Sequence, residues 1–156
     1  MSFISRMMML ILVMVCCFSI KVEASHDITS VSGLGPDELE YIVSGSGLSG
    51  LGQTFYEMEN TYGVNAVFAI SVAQLESGNG ESVMARYDNN LFGLMGMSFS
   101  SREKCIVYFG DLIRNYYFDN GMTTTYSINP VYCPDNYEWA SYIESLMSHN
   151  YYKVGK

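Results

Sequence analysis

The chain has 156 residues, with 8 Lys+Arg against 16 Asp+Glu, a formal net charge of −8, and 49% hydrophobic residues. That length suits one domain, and the apolar share can build a packed core. The acidic balance gives no electrostatic attraction to nucleic acid or to an anionic membrane, so neither is expected as a partner.

Residues 1–6 form a short, positively charged opening, and residues 7–20 are apolar. Val22 and Ala24 then place small residues where a signal peptidase would cut, so residues 1–24 are predicted to be a secretory signal peptide. The alternative is an uncleaved N-terminal anchor, although the apolar run is short for a membrane span, which needs about 20 residues. An exported, extracytoplasmic protein is therefore expected. Removing the leader takes Arg6, Lys21 and Glu23 with it and leaves the remainder still more acidic.

Residues 25–48 read as a loose lead-in with one short helix. Pro36, Asp37 and Glu38 open that helix, because proline suits a first turn and acids there favour the helix dipole. Residues 44–50 are Gly/Ser-rich and read as a loop. Ser49 is expected to cap a helix running to about Tyr62, with Leu51, Phe55, Met58 and Tyr62 on one face and Gly63 ending it. Asn65 caps the next helix, residues 66–77, which is apolar nearly all round and belongs in the core. Glu76 breaks that pattern.

Residues 82–86 look like a helical turn, and residues 89–97 are punctuated by glycine. Ser100 or Ser101 caps a longer helix to about Tyr116, with Glu103 placed as in a capping box. Asp119-Asn120-Gly121 is a turn, and Asn129-Pro130 and Pro134-Asp135 are expected to break helices. A last helix over about 136–149 presents Trp139, Ile143, Leu146 and Met147 on one face. No strand is evident, so the domain, residues 49–152, is expected to be mainly α.

Cys16 and Cys17 leave with the leader. Cys105 and Cys133 are then expected to form a disulfide in an oxidising compartment, closing a loop of about 28 residues and worth about 3 kcal/mol. Two buried free thiols are the alternative. His26 and His149 are isolated, no metal-ligand spacing occurs, and no metal or cofactor is expected.

Glu76 is the residue with chemical promise. Burial raises a carboxyl's pKa, and the negative end of a helix dipole acts in the same direction. A carboxylic acid kept protonated near neutral pH can give its proton to a glycosidic oxygen. The other reading is a carboxylate turned to solvent at a helix end, as most acidic residues are.

The stretch Asn65-Ala66-Val67-Phe68-Ala69-Ile70-Ser71-Val72-Ala73-Gln74-Leu75-Glu76-Ser77-Gly78 resembles the core motif of the glucosaminidase domains of glycoside hydrolase family 73. Asn89-Asn90-Leu91-Phe92-Gly93 resembles that family's Asn-Leu-Phe-Gly segment. Tyr132-Cys133-Pro134, and Trp139-Ala140 after it, resemble its Tyr-Ala-Pro/Thr-Asp segment and the following Trp- or Tyr-Ala. The likeness covers about residues 49–152. It implies a lysozyme-like α fold and cleavage of β-1,4 bonds in peptidoglycan glycan strands, the expected partner, by a monomer. Carried over residue by residue, Glu76 is the general acid and Tyr132 lies near the scissile sugar. Asn90, Phe92 and Gln74 are assigned to substrate binding. Trp139 reads more readily as a core anchor.

The sequence departs from the family in one place. Only residues 94–99 separate the Phe-Gly segment from the next helix, too few for the small β lobe that carries a second acid in many members. Glu81, Asp88, Glu103 and Asp111 remain as nearby acids, none at an evident site for ordinary two-carboxylate chemistry. Three readings follow: an endo-β-N-acetylglucosaminidase assisted by the substrate's acetamide or using water, a lytic transglycosylase with the same Glu, or an inactive glycan-binding module.

Overall fold

The computed structural model describes residues 26–156; the expected signal peptide, residues 1–24, lies outside them. The α-helices are α1 (Pro36–Val43), α2 (Gly52–Tyr62), α3 (Ala66–Ser77), α4 (Val83–Tyr87), α5 (Arg102–Leu112), α6 (Thr125–Tyr132) and α7 (Trp139–Lys153). Among the described residues, β structure is confined to one isolated antiparallel bridge, Asp27 with Thr124. The domain is mainly α, with no β lobe over residues 94–99.

Helix α3 is the axis of the fold, packed against α1, α2, α5 and α7. Its sequence explains the position: every side chain from Ala66 to Ala73 is buried, so no face is left for water. Asn65 caps it as expected, its side chain accepting from the Phe68 N–H at 3.0 Å. A second cap comes from a buried acid that no local pattern marks. Glu59 is 3% exposed and accepts from Ala66 N at 2.8 Å and Ser32 N at 2.6 Å. Phe68 lies tilted against Phe109 of α5 at a centroid distance of 6.1 Å, and Phe109 lies face to face with Phe92 at 3.9 Å. Burying each such ring contributes about 2–3 kcal/mol.

Four boundaries differ from expectation. Helix α2 starts at Gly52 rather than under a Ser49 cap, because Glu40 of α1 reaches across and accepts from Gly50 N at 2.7 Å and Gly52 N at 2.9 Å. A Cβ on Gly52 would meet the Glu40 backbone at 2.4 Å, so glycine is what lets the two helices come this close. Pro130 lies inside α6 instead of breaking it. It forgoes only the one helical hydrogen bond its missing N–H would have made. Helix α7 begins at Trp139 because the Asn129 side chain holds the preceding loop, donating to Cys133 O at 3.1 Å and Asn136 O at 2.9 Å. Finally, the long helix changes pitch: α5 ends at Leu112 and continues as a π turn (Ile113–Tyr117) and a 3₁₀ turn (Phe118–Asn120).

The lead-in is not loose. Ile28 is fully buried, and its backbone links to Thr123 O and Asn65 N at 3.2 and 2.9 Å. The cysteines are a further correction: Cys105 and Cys133 are free thiols. Cys105 is buried with its Sγ facing Leu91 N at 3.4 Å, and burial pushes its thiol up to about 11. Cys133 caps the end of α6 instead.

Candidate active site

Helix α3 ends in an open cleft of about 400 Å³, with Glu76 in its wall. The carboxyl is held on both sides. Oε1 accepts a hydrogen bond from Trp139 Nε1 at 2.7 Å. Oε2 faces Gly93, where an added Cβ would lie only 2.8 Å away. The Phe92-Gly93 loop can therefore pass this close to the acid only with glycine there. Gly93 also has φ +66°, a conformation that L side chains seldom adopt.

Burial raises the Glu76 pKa above its ordinary value of 4.5, and the Trp139 hydrogen bond opposes the rise without cancelling it. A half-buried carboxyl whose pKa is raised, at the wall of an open cleft, has the chemistry needed to give a proton to a bound oxygen. Trp139 does more than anchor the core. Its ring is buried, but its one donor orients the acid.

Tyr132 lines the same cleft. Its hydroxyl donates to the Phe92 carbonyl at 2.6 Å, and its ring tilts against Trp139 at a centroid distance of 5.0 Å. Burial, and then the nearby Glu76 charge, hold this phenol well above the usual tyrosine range. Tyr132 therefore keeps its proton and fixes the Phe92-Gly93 loop against Glu76. The hydroxyl oxygen remains able to accept a hydrogen bond.

The other expected site residues divide. Phe92 lines the cleft, although its ring belongs to the core stack. Asn90 is 1% exposed and spends its amide on the loop. It donates to Leu94 O and Met97 O at 2.7 and 3.0 Å and accepts from Phe92 N and Leu94 N at 3.3 and 3.1 Å. It builds the cleft floor from beneath. Gln74 is not brought to the cleft. Two residues before Glu76, it faces away around the helix and pairs with Asn150, which donates to it at 2.8 Å.

The four acids considered from sequence also lie elsewhere. Glu81 pairs with Arg86 at 2.5 Å, and Asp88 accepts from Ser98 Oγ at 2.9 Å. Glu103 is held below the usual carboxylate range by Ser101, with its own backbone N–H adding to the effect. Asp111 accepts from Asn115 at 2.8 Å. The carboxylate that does share the cleft with Glu76 is Asp135. It follows Tyr132-Cys133-Pro134, so the motif that singled out Tyr132 already carried it.

Tyr117 was also missed. The π turn carries it to the cleft wall while Tyr116 beside it stays half exposed. Burial pushes the Tyr117 phenol up to about 12. Such single π turns in an α-helix recur at functional sites.

A family profile named Glucosaminidase, described as mannosyl-glycoprotein endo-beta-N-acetylglucosaminidase, matches residues 52–154. Two Streptococcus pneumoniae proteins carrying a provisional endo-beta-N-acetylglucosaminidase name, from strains TIGR4 and R6, are each 29% identical over 147 residues. The match takes 83% of this chain but only 22% and 21% of theirs, so the chain spans about a fifth of those relatives. Solved structures agree. A catalytic mutant of S. aureus Autolysin E in complex with the disaccharide NAG-NAM superposes with a TM-score of 0.73 at 25% identity, covering 86% of this chain and 76% of that one. Autolysin E in complex with the muropeptide NAM-L-Ala-D-iGlu gives 0.69 at 28% identity, covering 83% and 72%.

Proposed function

Because the chain belongs to the Glucosaminidase family, we propose that it is a peptidoglycan hydrolase cleaving β-1,4 bonds of the glycan strand, with Glu76 as general acid. The observation that carries this reading is the Glu76 carboxyl, open to the cleft and with its pKa raised by burial, between the Trp139 donor and the Gly93 backbone. The Autolysin E complexes support the substrate class, since that protein binds NAG-NAM in a fold this chain shares.

In the proposed reaction Glu76 protonates the glycosidic oxygen as the bond to C1 breaks. The 2-acetamido oxygen of the sugar attacks C1 in place of an enzyme nucleophile, the substrate-assisted exception among glycoside hydrolases. Glu76, now ionised, takes a proton from water as that water opens the cyclic intermediate, and the acid is restored. Asp135, in the same cleft, would accept the acetamide N–H and take up charge developing on nitrogen. Tyr132 holds the Phe92-Gly93 wall in register.

An acidic protein acting on a wall polymer must work outside the cytoplasm, which fits an exported domain. The test is product analysis on purified walls. New reducing N-acetylglucosamine ends from the wild type, and none from Glu76→Gln, are expected. Anhydromuramyl ends would assign a lytic transglycosylase, and saturable binding without cleavage an inactive module.

A further inference from the structure

Five of the 13 tyrosines pack in or against the core and eight are exposed, Tyr126 and Tyr137 among them. Tyr137 is 91% exposed and Tyr126 is 52% exposed. They share a second open cavity of about 390 Å³ with Asn129, Pro130 and Pro134. Pro134 also lines the Glu76 cleft, so the two hollows meet at one residue.

This shelf is built rather than incidental. Asn129 uses its whole side chain to fasten the loop that carries Tyr137. Its amide donates to Cys133 O and Asn136 O, and its oxygen accepts from Ala140 N at 3.1 Å. Pro130 has no N–H to return to the Tyr126 carbonyl one turn back, which leaves that oxygen without its helical donor. Among the described residues neither tyrosine hydroxyl has a hydrogen-bond partner. The surface thus offers aromatic faces with polar tips, an amphipathic pattern.

A β-linked hexose has an apolar C–H face and an equatorial rim of hydroxyls, which is the matching pattern. The chain's net charge of −8 offers no attraction to a strand carrying carboxylates, so affinity has to come from such neutral contacts. A polymer lying in the Glu76 cleft must also leave it, and Pro134 marks one exit. We propose that Tyr126, Pro130, Pro134 and Tyr137 form an accessory subsite for a further sugar of the glycan strand, continuous with the cleft. The proposal rests on the glycan-binding reading of that cleft.

The test uses Glu76→Gln protein, which keeps an oxygen for Trp139, titrated with β-1,4-linked N-acetylglucosamine oligomers of two to six sugars. Affinity should step up by about tenfold, the size of an aromatic stacking contact, once the oligomer reaches the shelf. Adding Tyr126→Ala and Tyr137→Ala should remove that step and leave the shortest oligomers unchanged. A step that survives both substitutions overturns the subsite, as does an equal loss at every length. Cleavage of the hexamer by the Glu76 protein is scored separately. If it fails while the step behaves as stated, the catalytic reading falls and the subsite stands.

Discussion

Gly93→Ala probes the geometry of the acid without touching it. The new Cβ would lie 2.8 Å from Glu76 Oε2, about 0.6 Å inside an ordinary contact of 3.4 Å. The loop cannot simply back away, because Tyr132 holds the Phe92 carbonyl and Asn90 holds Phe92 N and Leu94 N. The carboxyl must shift instead, stretching its bond to Trp139. A misplacement of about 1 Å at a reacting group costs roughly 100-fold, so a shift near half that should lower kcat/KM about tenfold. The left-handed φ adds strain of about 1 kcal/mol, which urea unfolding would read as a lower midpoint. Gly96→Ala is the control. It has φ +74° on the same loop but nothing within 4 Å, so it should lose stability and keep activity. If Gly93→Ala loses no more activity than Gly96→Ala, the account of how Glu76 is held is wrong.

Trp139→Phe removes the donor to Glu76 while keeping an aromatic ring. Because that hydrogen bond lowers the acid's pKa, its loss should move the alkaline limb of the pH–activity profile upward and cut kcat about tenfold; an unmoved limb would separate Trp139 from the acid. Glu76→Gln should stabilise the fold above pH 4.5. The wild-type carboxyl binds its proton more tightly folded than unfolded, so wild-type stability falls as pH rises from 4.5 through the raised pKa. The variant lacks that fall, so the gap between the two proteins should open with rising pH and close in acid. Two thiols should titrate in denatured, unreduced protein if Cys105 and Cys133 are unpaired. In the native protein Cys133, half-buried, should react before Cys105, which is fully buried.

The helical frame could be read from local pattern, because its causes are local. Asn65 caps α3, the run from Ala66 to Ala73 has no polar face, and Gly63 ends α2. What escaped the reading depends on residues distant in sequence. Glu40 replaces the expected Ser49 cap from ten residues upstream, and Glu59 caps α3 from inside the core. The π turn that delivers Tyr117 has no marker in the sequence, since its side chains also suit a continued α-helix. The site shows the same division. Glu76 stood out because a carboxylate on an apolar helix needs a reason. Gln74 lies in the same motif as Glu76, but a helix turns neighbours two apart to nearly opposite faces. Asp135 was passed over as a helix breaker, and only the folding of the loop against α6 by Asn129 puts it in the cleft.

The central claim, that Glu76 is the proton donor of a wall-cleaving site, is tested most directly by measuring reducing ends released from purified peptidoglycan. Wild-type protein should release reducing N-acetylglucosamine, and Glu76→Gln, still folded, should release none above background. Equal release by the two proteins would contradict it.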